Sequence, residues 1–134
     1  MSTVAIRAAL ETALDALSPA LATAWENRAF EPTPGTPYQR VVLLFATPDD
    51  REIGGRHVEL GFMQVDLCYP QGAGSGDAAA RAGMLKAAFR KGTTLTADGI
   101  STMVMATPQV LPHQIDAERY VLPVRIPFRA EVQD

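Results

Sequence analysis

The chain has 134 residues, of which 47% are hydrophobic, and its formal net charge is −3 at pH 7. This length and composition predict one globular domain over residues 1–134 and exclude a disordered chain. The acidic balance argues against sequence-specific nucleic-acid binding, and no apolar run approaches the ~20 residues that a membrane-spanning helix needs.

Residues 3–17 are predicted to form the first helix. Their large apolar side chains recur at the spacing that places them on one helical face. These side chains are Ile6, Leu10, Leu14 and Leu17. Pro19 is expected to end the helix, because proline has no N–H group to continue the hydrogen-bond ladder.

The next segment is expected to hold a short strand and a stiff loop. Residues 22–30, around Trp25, are compatible with the strand. Glu31–Pro37 follows with three prolines and one glycine, which predicts an exposed loop. This loop is either an idle connection or an arm that contacts a partner, since a stiff segment loses little entropy when it docks.

Two longer strands are predicted on either side of the polar turn 48–55, so that they form a hairpin. Within the predicted strand 38–47, residues 41–46 are apolar on both parities, which is typical of a central strand covered on both faces. In residues 58–69 the alternation changes phase between Gly61 and Met63. A β-bulge at Gly61 would explain this change, because one extra residue flips the side-chain alternation.

A glycine-rich turn, Gly72–Gly76, leads into the alanine-rich segment 77–91. Glycine turns before a helix can hold phosphate through outward backbone N–H groups. Here the spacing is G-x-G-x-G, no Lys-Ser or Lys-Thr follows, and Asp77 would repel an anion. We therefore expect a structural joint and a helix over 77–91, capped by Ser75 or Asp77 and ended by the basic residues before Gly92.

The C-terminal third is predicted to contain a strand at 100–107, a loop at 110–118 and a long strand at 119–132. The last strand alternates cleanly, with Tyr120, Leu122, Val124, Ile126, Phe128, Ala130 and Val132 on one face. Pro123 and Pro127 remove two ladder donors, which favours an edge position. Together the elements predict an α+β fold: an antiparallel sheet of four to five strands with two helices packed on one face.

The opposite face of this last strand carries Arg119, Arg125 and Arg129. Charge and proline on an exposed edge can simply block unwanted strand pairing. Equally, the arginines can pair with acidic residues of a neighbouring subunit. We assign these three arginines, with Phe30 and Tyr38 beside the proline-rich loop, to a subunit or partner interface.

No constellation in the chain predicts an enzyme. Cys68 is the only cysteine in the chain and is predicted to be a small core residue. A single cysteine excludes an internal disulfide and a cysteine-based zinc site. His57 and His113 lack metal-ligand spacing, and the carboxylates of 49–52 read as a solvated turn. We expect no catalytic, cofactor or metal site, no secretory signal, and a soluble protein of a reducing cytoplasm.

Several short segments occur in an order that resembles a known family. They are Ala29-Phe-Glu-Pro32, Gly35-Thr-Pro-Tyr38, Gly61-Phe62, Tyr69-Pro-Gln-Gly-Ala-Gly74, an alanine-rich helix ending at Phe89, and Pro123-Val-Arg-Ile-Pro-Phe128. In this order the chain resembles small phage proteins, of a domain-of-unknown-function family, that are related to tail terminator or tail completion proteins. The turn of the form P-x-G-x-G is the most specific of these features.

The resemblance implies a structural role in a phage or prophage. Tail terminators form a ring, usually a hexamer, on the tail tube, stop its growth and offer a surface to head-completion proteins. It therefore implies three partners: further copies of the chain, which can be monomeric before assembly, the tail tube protein and a head-completion protein. It also implies assembly in the bacterial cytoplasm, a final place in the virion tail, and no cofactor, membrane or specific nucleic-acid partner.

Two other functions remain open from the sequence. One is a head–tail joining or neck protein of the same region of the virion, which shares this size and assembly logic. The other is a small-molecule-binding module that uses the Gly72–Gly76 turn. The module requires a concave site with converging polar groups, whereas the phage roles require self-association.

Overall fold

In the computed structural model, which describes residues 2–48, 56–116 and 118–133, two helices accompany one sheet of eight strands. The elements are α1 Ser2–Asp15, β1 Ala22–Ala24, β2 Tyr38–Phe45, β3 Arg56–Pro70, α2 Gly76–Ala88, β4 Thr94–Ala97, β5 Ile100–Val104, β6 Gln109–Val110, β7 Gln114–Asp116 and β8 Arg119–Gln133. The sheet order is β1-β2-β3-β8-β5-β4, and β6 and β7 also pair with β8. The α+β class is confirmed. The strand number was underestimated, and β1 runs parallel to β2, so the sheet is not wholly antiparallel.

The two helices pack on the same face of the sheet. Residues of both helices join one hydrophobic cluster with alternate residues of the long strands. From the helices these are Ile6, Leu10, Leu14, Ala78, Ala82 and Leu85, with Phe89 just beyond α2. The predicted alternation of the last strand is confirmed, since six of its seven core-face residues are buried and Tyr120 packs partly buried against them.

Strand β8 lies inside the sheet, so the predicted edge position is wrong. One side of β8 pairs with β3 along its whole length, and the other pairs with β5, β6 and β7. On that second side, the carbonyls of Pro127 and Pro123 accept hydrogen bonds from Met105 and Leu111. These two residues come directly after β5 and β6. Because the N and O atoms of a strand residue point to the same edge, each missing proline donor faces a break between the short strands.

The hairpin of β2 and β3 is confirmed, although most of its turn, residues 49–55, lies outside the described residues. The register runs without interruption from Tyr38↔Cys68 to Phe45↔Gly61, and β3 pairs as regularly with β8. The predicted β-bulge at Gly61 is therefore wrong. A Cβ atom on Gly61 would lie 2.1 Å from the carbonyl oxygen of Leu44, so glycine is required here by a close backbone approach.

The second helix begins at Gly76 and is shorter than predicted. Ser75 occupies the predicted N-cap position, which Asp77 does not, but its side chain makes no cap hydrogen bond. Asp77 lies in the first turn, where its charge suits the helix dipole. Arg81 is buried and its guanidinium donates to the carbonyl of Pro19, which ties α2 to the segment after α1.

A hairpin that the sequence analysis did not predict joins β4 to β5. Its two-residue turn is Asp98-Gly99, and both residues have positive φ angles of 49° and 76°. This Asp-Gly dipeptide is a strong sequence signal for a tight hairpin. Short strands β6 and β7 also occupy the segment that was expected to be a loop. Neither helix in the described part of the chain is long and apolar enough to cross a membrane.

Candidate functional site

The sheet has one face that no described helix covers, hereafter the helix-free face. It carries the alternate residues of β2, β3 and β8 that point away from the core. The strand registers align Leu44, Phe62 and Pro127 across this face, and Met105 bonds to Pro127 and extends the line. We call these four residues the apolar row. Leu44 is 47% exposed and Met105 is 39% exposed, so the prediction that strand 38–47 is covered on both faces is wrong for this chain alone.

Beside the apolar row lies a network of charged and amide groups. The guanidinium of Arg40 donates to Asp66 Oδ2 from Nε at 3.2 Å and from Nη2 at 3.0 Å. Gln64 Nε2 donates to Asp66 Oδ1 at 3.0 Å, and Arg125 Nη2 donates to Gln64 Oε1 at 3.2 Å. Burial by itself would lower the pKa of Arg40, but the hydrogen bond to Asp66 outweighs burial and raises the pKa. The network thus fixes side chains of three adjacent strands.

Arg125 and Arg129 lie on opposite sides of the apolar row, each two residues from Pro127. The guanidinium carbon of Arg125 is 4.2 Å from the centre of the Phe62 ring, a favourable cation–π distance. Its Nε atom is buried without a hydrogen-bond partner in the described structure. Arg129 Nη2 is 3.4 Å from Glu131 Oε1, and its side chain is 37% exposed.

The other three residues predicted for an interface form a separate cluster with each other. Arg119 donates to the carbonyls of Thr36 at 2.6 Å and Thr33 at 2.8 Å. Its guanidinium carbon lies 5.1 Å from the centre of the Tyr38 ring, which is 5.1 Å from that of Phe30. Arg119 therefore holds the proline-rich loop against the start of β8. The assignment of these residues to an interface stays a prediction.

An open cavity of about 430 Å³ lies between the polar network and the segment that leads into β7. Its lining includes Arg40, Asp66, Asp116, Arg125 and His113. The His113 ring stacks on Tyr120 with centroids 4.8 Å apart. Within residues 2–48, 56–116 and 118–133 no three His, Cys, Asp or Glu side chains are arranged to hold a metal ion.

The remaining candidates read from the sequence have structural roles. Cys68 is 1% exposed, and burial raises the pKa of its thiol, so the core interpretation is confirmed. Gly72 and Gly74 have positive φ angles of 86° and 85°, which explains the need for glycine. No described heavy atom lies within 4 Å of a Cβ built at Gly72, Gly74 or Gly76. This turn is open and gathers no polar groups around a ligand.

Comparison with known proteins gives the family of the chain. The family model described as phage tail terminator protein matches residues 5–128. The chain belongs to the phage tail terminator family. The resemblance read from the sequence is thereby confirmed, and this is a family of structural proteins of the phage tail.

Solved structures share the fold of this chain. Five solved chains match this one. One of them is 27% identical to this chain, the match covers 100% of this chain and 99% of the other, and the two superpose with a TM-score of 0.81. No curated protein matches the sequence.

The apolar row was not predicted, although the sequence contains two signals for it. Strand residues 41–46 are apolar on both parities, and the phase changes near Gly61. Both patterns arise because Leu44 and Phe62 lie on the helix-free face while Val41 and Met63 lie in the core. The second apolar parity of β2 predicts a second buried face, but Leu44 on that face is 47% exposed.

Proposed function

We propose that this chain acts as a tail terminator by forming a ring that caps the phage tail tube. In this proposal the ring stops tube growth and presents a surface for head joining. The observation that carries the proposal is the family match over residues 5–128. Six copies are the expected number, as the resemblance to tail terminators implies.

The helix-free face supports self-association. It combines partly exposed apolar side chains with a polar network that is already ordered within one chain. An interface of this kind has an apolar centre with polar groups around it. Because the network is held by internal hydrogen bonds, little further side-chain ordering is needed when a second surface docks on it.

The charge of the chain also fits a ring through which DNA passes. The formal net charge is −3, whereas DNA-binding surfaces carry a basic excess. Six such subunits would form an acidic assembly that does not hold the phosphate backbone. This feature suits passage of DNA better than its retention.

The test is a tube-length assay with the tail tube protein of the same phage. Tube protein is polymerised alone and with increasing amounts of this chain, and lengths and ends are measured by negative-stain electron microscopy. We expect shorter tubes with a ring at one end. Unchanged lengths and bare ends would contradict tail termination, and binding to head-completion protein alone would indicate a neck protein instead.

A further inference from the structure

We propose that Arg125 is a positioning residue for the contact between copies of this chain. Its guanidinium holds the helix-free face in the arrangement that a neighbouring copy binds, and it forms no ion pair with that neighbour. This role rests on the proposed function, because copies must first associate through the helix-free face. It differs from the role predicted from the sequence, in which Arg125 pairs with an acidic residue of a neighbouring subunit.

Arg125 contacts both parts of the helix-free face. Its guanidinium carbon lies 4.2 Å from the centre of the ring of Phe62, an inner residue of the apolar row. Its Nη2 atom donates to Gln64 Oε1 at 3.2 Å, and Gln64 Nε2 donates in turn to Asp66 at 3.0 Å. A planar guanidinium can lie over a ring while its edge donates a hydrogen bond, which a compact ammonium group cannot do. One side chain therefore fixes both a ring of the apolar row and an amide of the polar network.

These contacts depend on the shape of the guanidinium more than on its charge. The two carboxylates that line the same open cavity as Arg125 are those of Asp66 and Asp116, and both pair with Arg40. Gln64, which lies directly across from Arg125 in the strand register, is neutral. Arg125 is thus held by an aromatic ring and an amide.

The Nε–H group of Arg125 is a cost to the isolated subunit. The Nε atom is buried and has no acceptor within residues 2–48, 56–116 and 118–133. A buried donor without an acceptor lowers the stability of a fold, and such departures are expected at functional surfaces. Since its own chain already covers Nε, a neighbouring copy does not reach this atom. The guanidinium therefore acts on the neighbour through Phe62 and Gln64.

Ordering these two side chains before docking favours association. Phe62 and Gln64 are half-buried, so without Arg125 their side chains have more freedom to lose when a copy binds. Each side chain that is ordered only on binding lowers the affinity. For two side chains, loss of the guanidinium should weaken association by about tenfold.

The test compares two replacements of Arg125 that separate shape from charge. Arg125→Lys keeps the charge, Arg125→Met keeps the aliphatic stem, and neither keeps the planar guanidinium. Both should weaken association in size-exclusion chromatography with light scattering. At concentrations where the chain is monomeric, the Tm of Arg125→Met should be unchanged or higher, because the buried donor is gone. Arg90→Lys and Arg90→Met are the matched controls, since Arg90 is exposed just after α2, and both should associate like the wild type.

A double-mutant cycle shows whether Arg125 acts through Gln64. In the Gln64→Met background the amide that Arg125 holds is absent, so Arg125→Met should weaken association less than it does in the wild type. Equal effects in the two backgrounds would overturn the positioning role. Wild-type association of Arg125→Lys would also overturn it, because the charge alone would then suffice.

Two further variants test whether the helix-free face is the contact. Leu44→Glu places a carboxylate in the apolar row and should abolish association. Val4→Glu places one on α1, where Val4 is 58% exposed, and should associate like the wild type. Association of Leu44→Glu at the wild-type level would overturn the inference, since copies would then meet elsewhere.

The tube-length assay separates this inference from the proposed function. If copies assemble only on tube ends, the same variants are compared by the amount of chain that halves the tube length. Arg125 variants that shorten tubes as well as the wild type would leave tail termination standing and overturn only the positioning role. A wild type that leaves tube lengths unchanged would contradict the proposed function itself.

Discussion

Gly61 shows how one residue can be required by its neighbours rather than by its own backbone angles. The Cα of Gly61 lies close to the carbonyl oxygen of Leu44. Beside it, the rings of Phe45 and Phe128 pack edge to face with centroids 5.5 Å apart. A methyl group at this position has no space unless the β2–β3 hairpin opens. The close approach lies at the end of the pairing between β2 and β3, next to the apolar row.

We expect Gly61→Ala to lower the free energy of unfolding by about 1–3 kcal/mol, because overpacking forces the strands apart. Gly83→Ala is the matched control, since nothing lies within 4 Å of a Cβ there. In that exposed helical position alanine should stabilise by roughly 0.5–1 kcal/mol. Urea unfolding of both variants measures the difference. Equal stabilities would show that the hairpin accommodates the methyl group.

Glu26 links the first helix to the sheet and predicts a pH dependence. Its carboxylate accepts hydrogen bonds from Arg7 at 2.8 Å and from the backbone N–H of Leu43 at 2.7 Å. Burial by itself would raise the pKa of Glu26, but these two hydrogen bonds outweigh burial and lower the pKa. A carboxyl group whose pKa is lower in the folded than in the unfolded state stabilises the fold at pH values above its unfolded-state pKa. This stabilisation is lost as the pH falls through the folded-state pKa.

We therefore expect Glu26→Gln to be less stable than the wild type at pH 7. The site is one-third exposed, so screening limits the loss to about 1 kcal/mol. Below about pH 4 the difference should shrink as Glu26 becomes protonated. Glu11→Gln is the control, because Glu11 contacts Arg7 at 3.5 Å only. Denaturant unfolding from pH 3 to pH 8 gives both profiles, and a difference that does not change with pH would contradict this role of Glu26.

Among the elements, strand β8 organises the sheet. It pairs with β3 over its full length and with three short strands on the other side. The breaks between those short strands coincide with Pro127 and Pro123. The rule that confines proline to unpaired edges thus holds locally, one residue at a time, inside a strand that is paired on both sides.

The loop between β1 and β2 is held by Arg119 at the start of β8. We expect Arg119→Lys to loosen this loop, because an ammonium group cannot reproduce the two hydrogen bonds of the guanidinium fork. Hydrogen–deuterium exchange should become faster at residues 33–38 and stay unchanged in α1. Arg129→Lys is the control and should leave the loop protected. Unchanged exchange in the first variant would show that the prolines alone order the loop.

For the whole molecule, association predicts a melting temperature that depends on concentration. Copies that bind only the folded state stabilise it by mass action. In the concentration range where chromatography detects association, we expect the Tm of the wild type to rise with protein concentration. The Tm of Leu44→Glu should stay constant, while that of Val4→Glu should follow the wild type. A wild-type Tm that is constant across this range would contradict self-association through the folded subunits.

Much of the fold could be predicted because it depends on local patterns. The stripe of Ile6, Leu10 and Leu14 predicts α1, and the strict alternation of β8 predicts a strand with one buried face. The order of short motifs, including Tyr69–Gly74, already indicated the tail terminator family. For the helix and the strand, the residues that carry the signal are close together in the chain, so their spacing alone reports the 3.6-residue or two-residue period.

Only the tertiary structure decided which strands are neighbours and which face stays open. The prolines of β8 are compatible with an edge strand or an inner strand, and the second apolar parity of β2 is compatible with a covered or an open face. Residues far away in the chain determine which arrangement forms. Pairing with β5, β6 and β7 placed β8 inside the sheet, and both helices packed against the same face. That packing left Leu44 and Phe62 on the outside, because a sequence states that a side chain is apolar but the other elements determine what covers it.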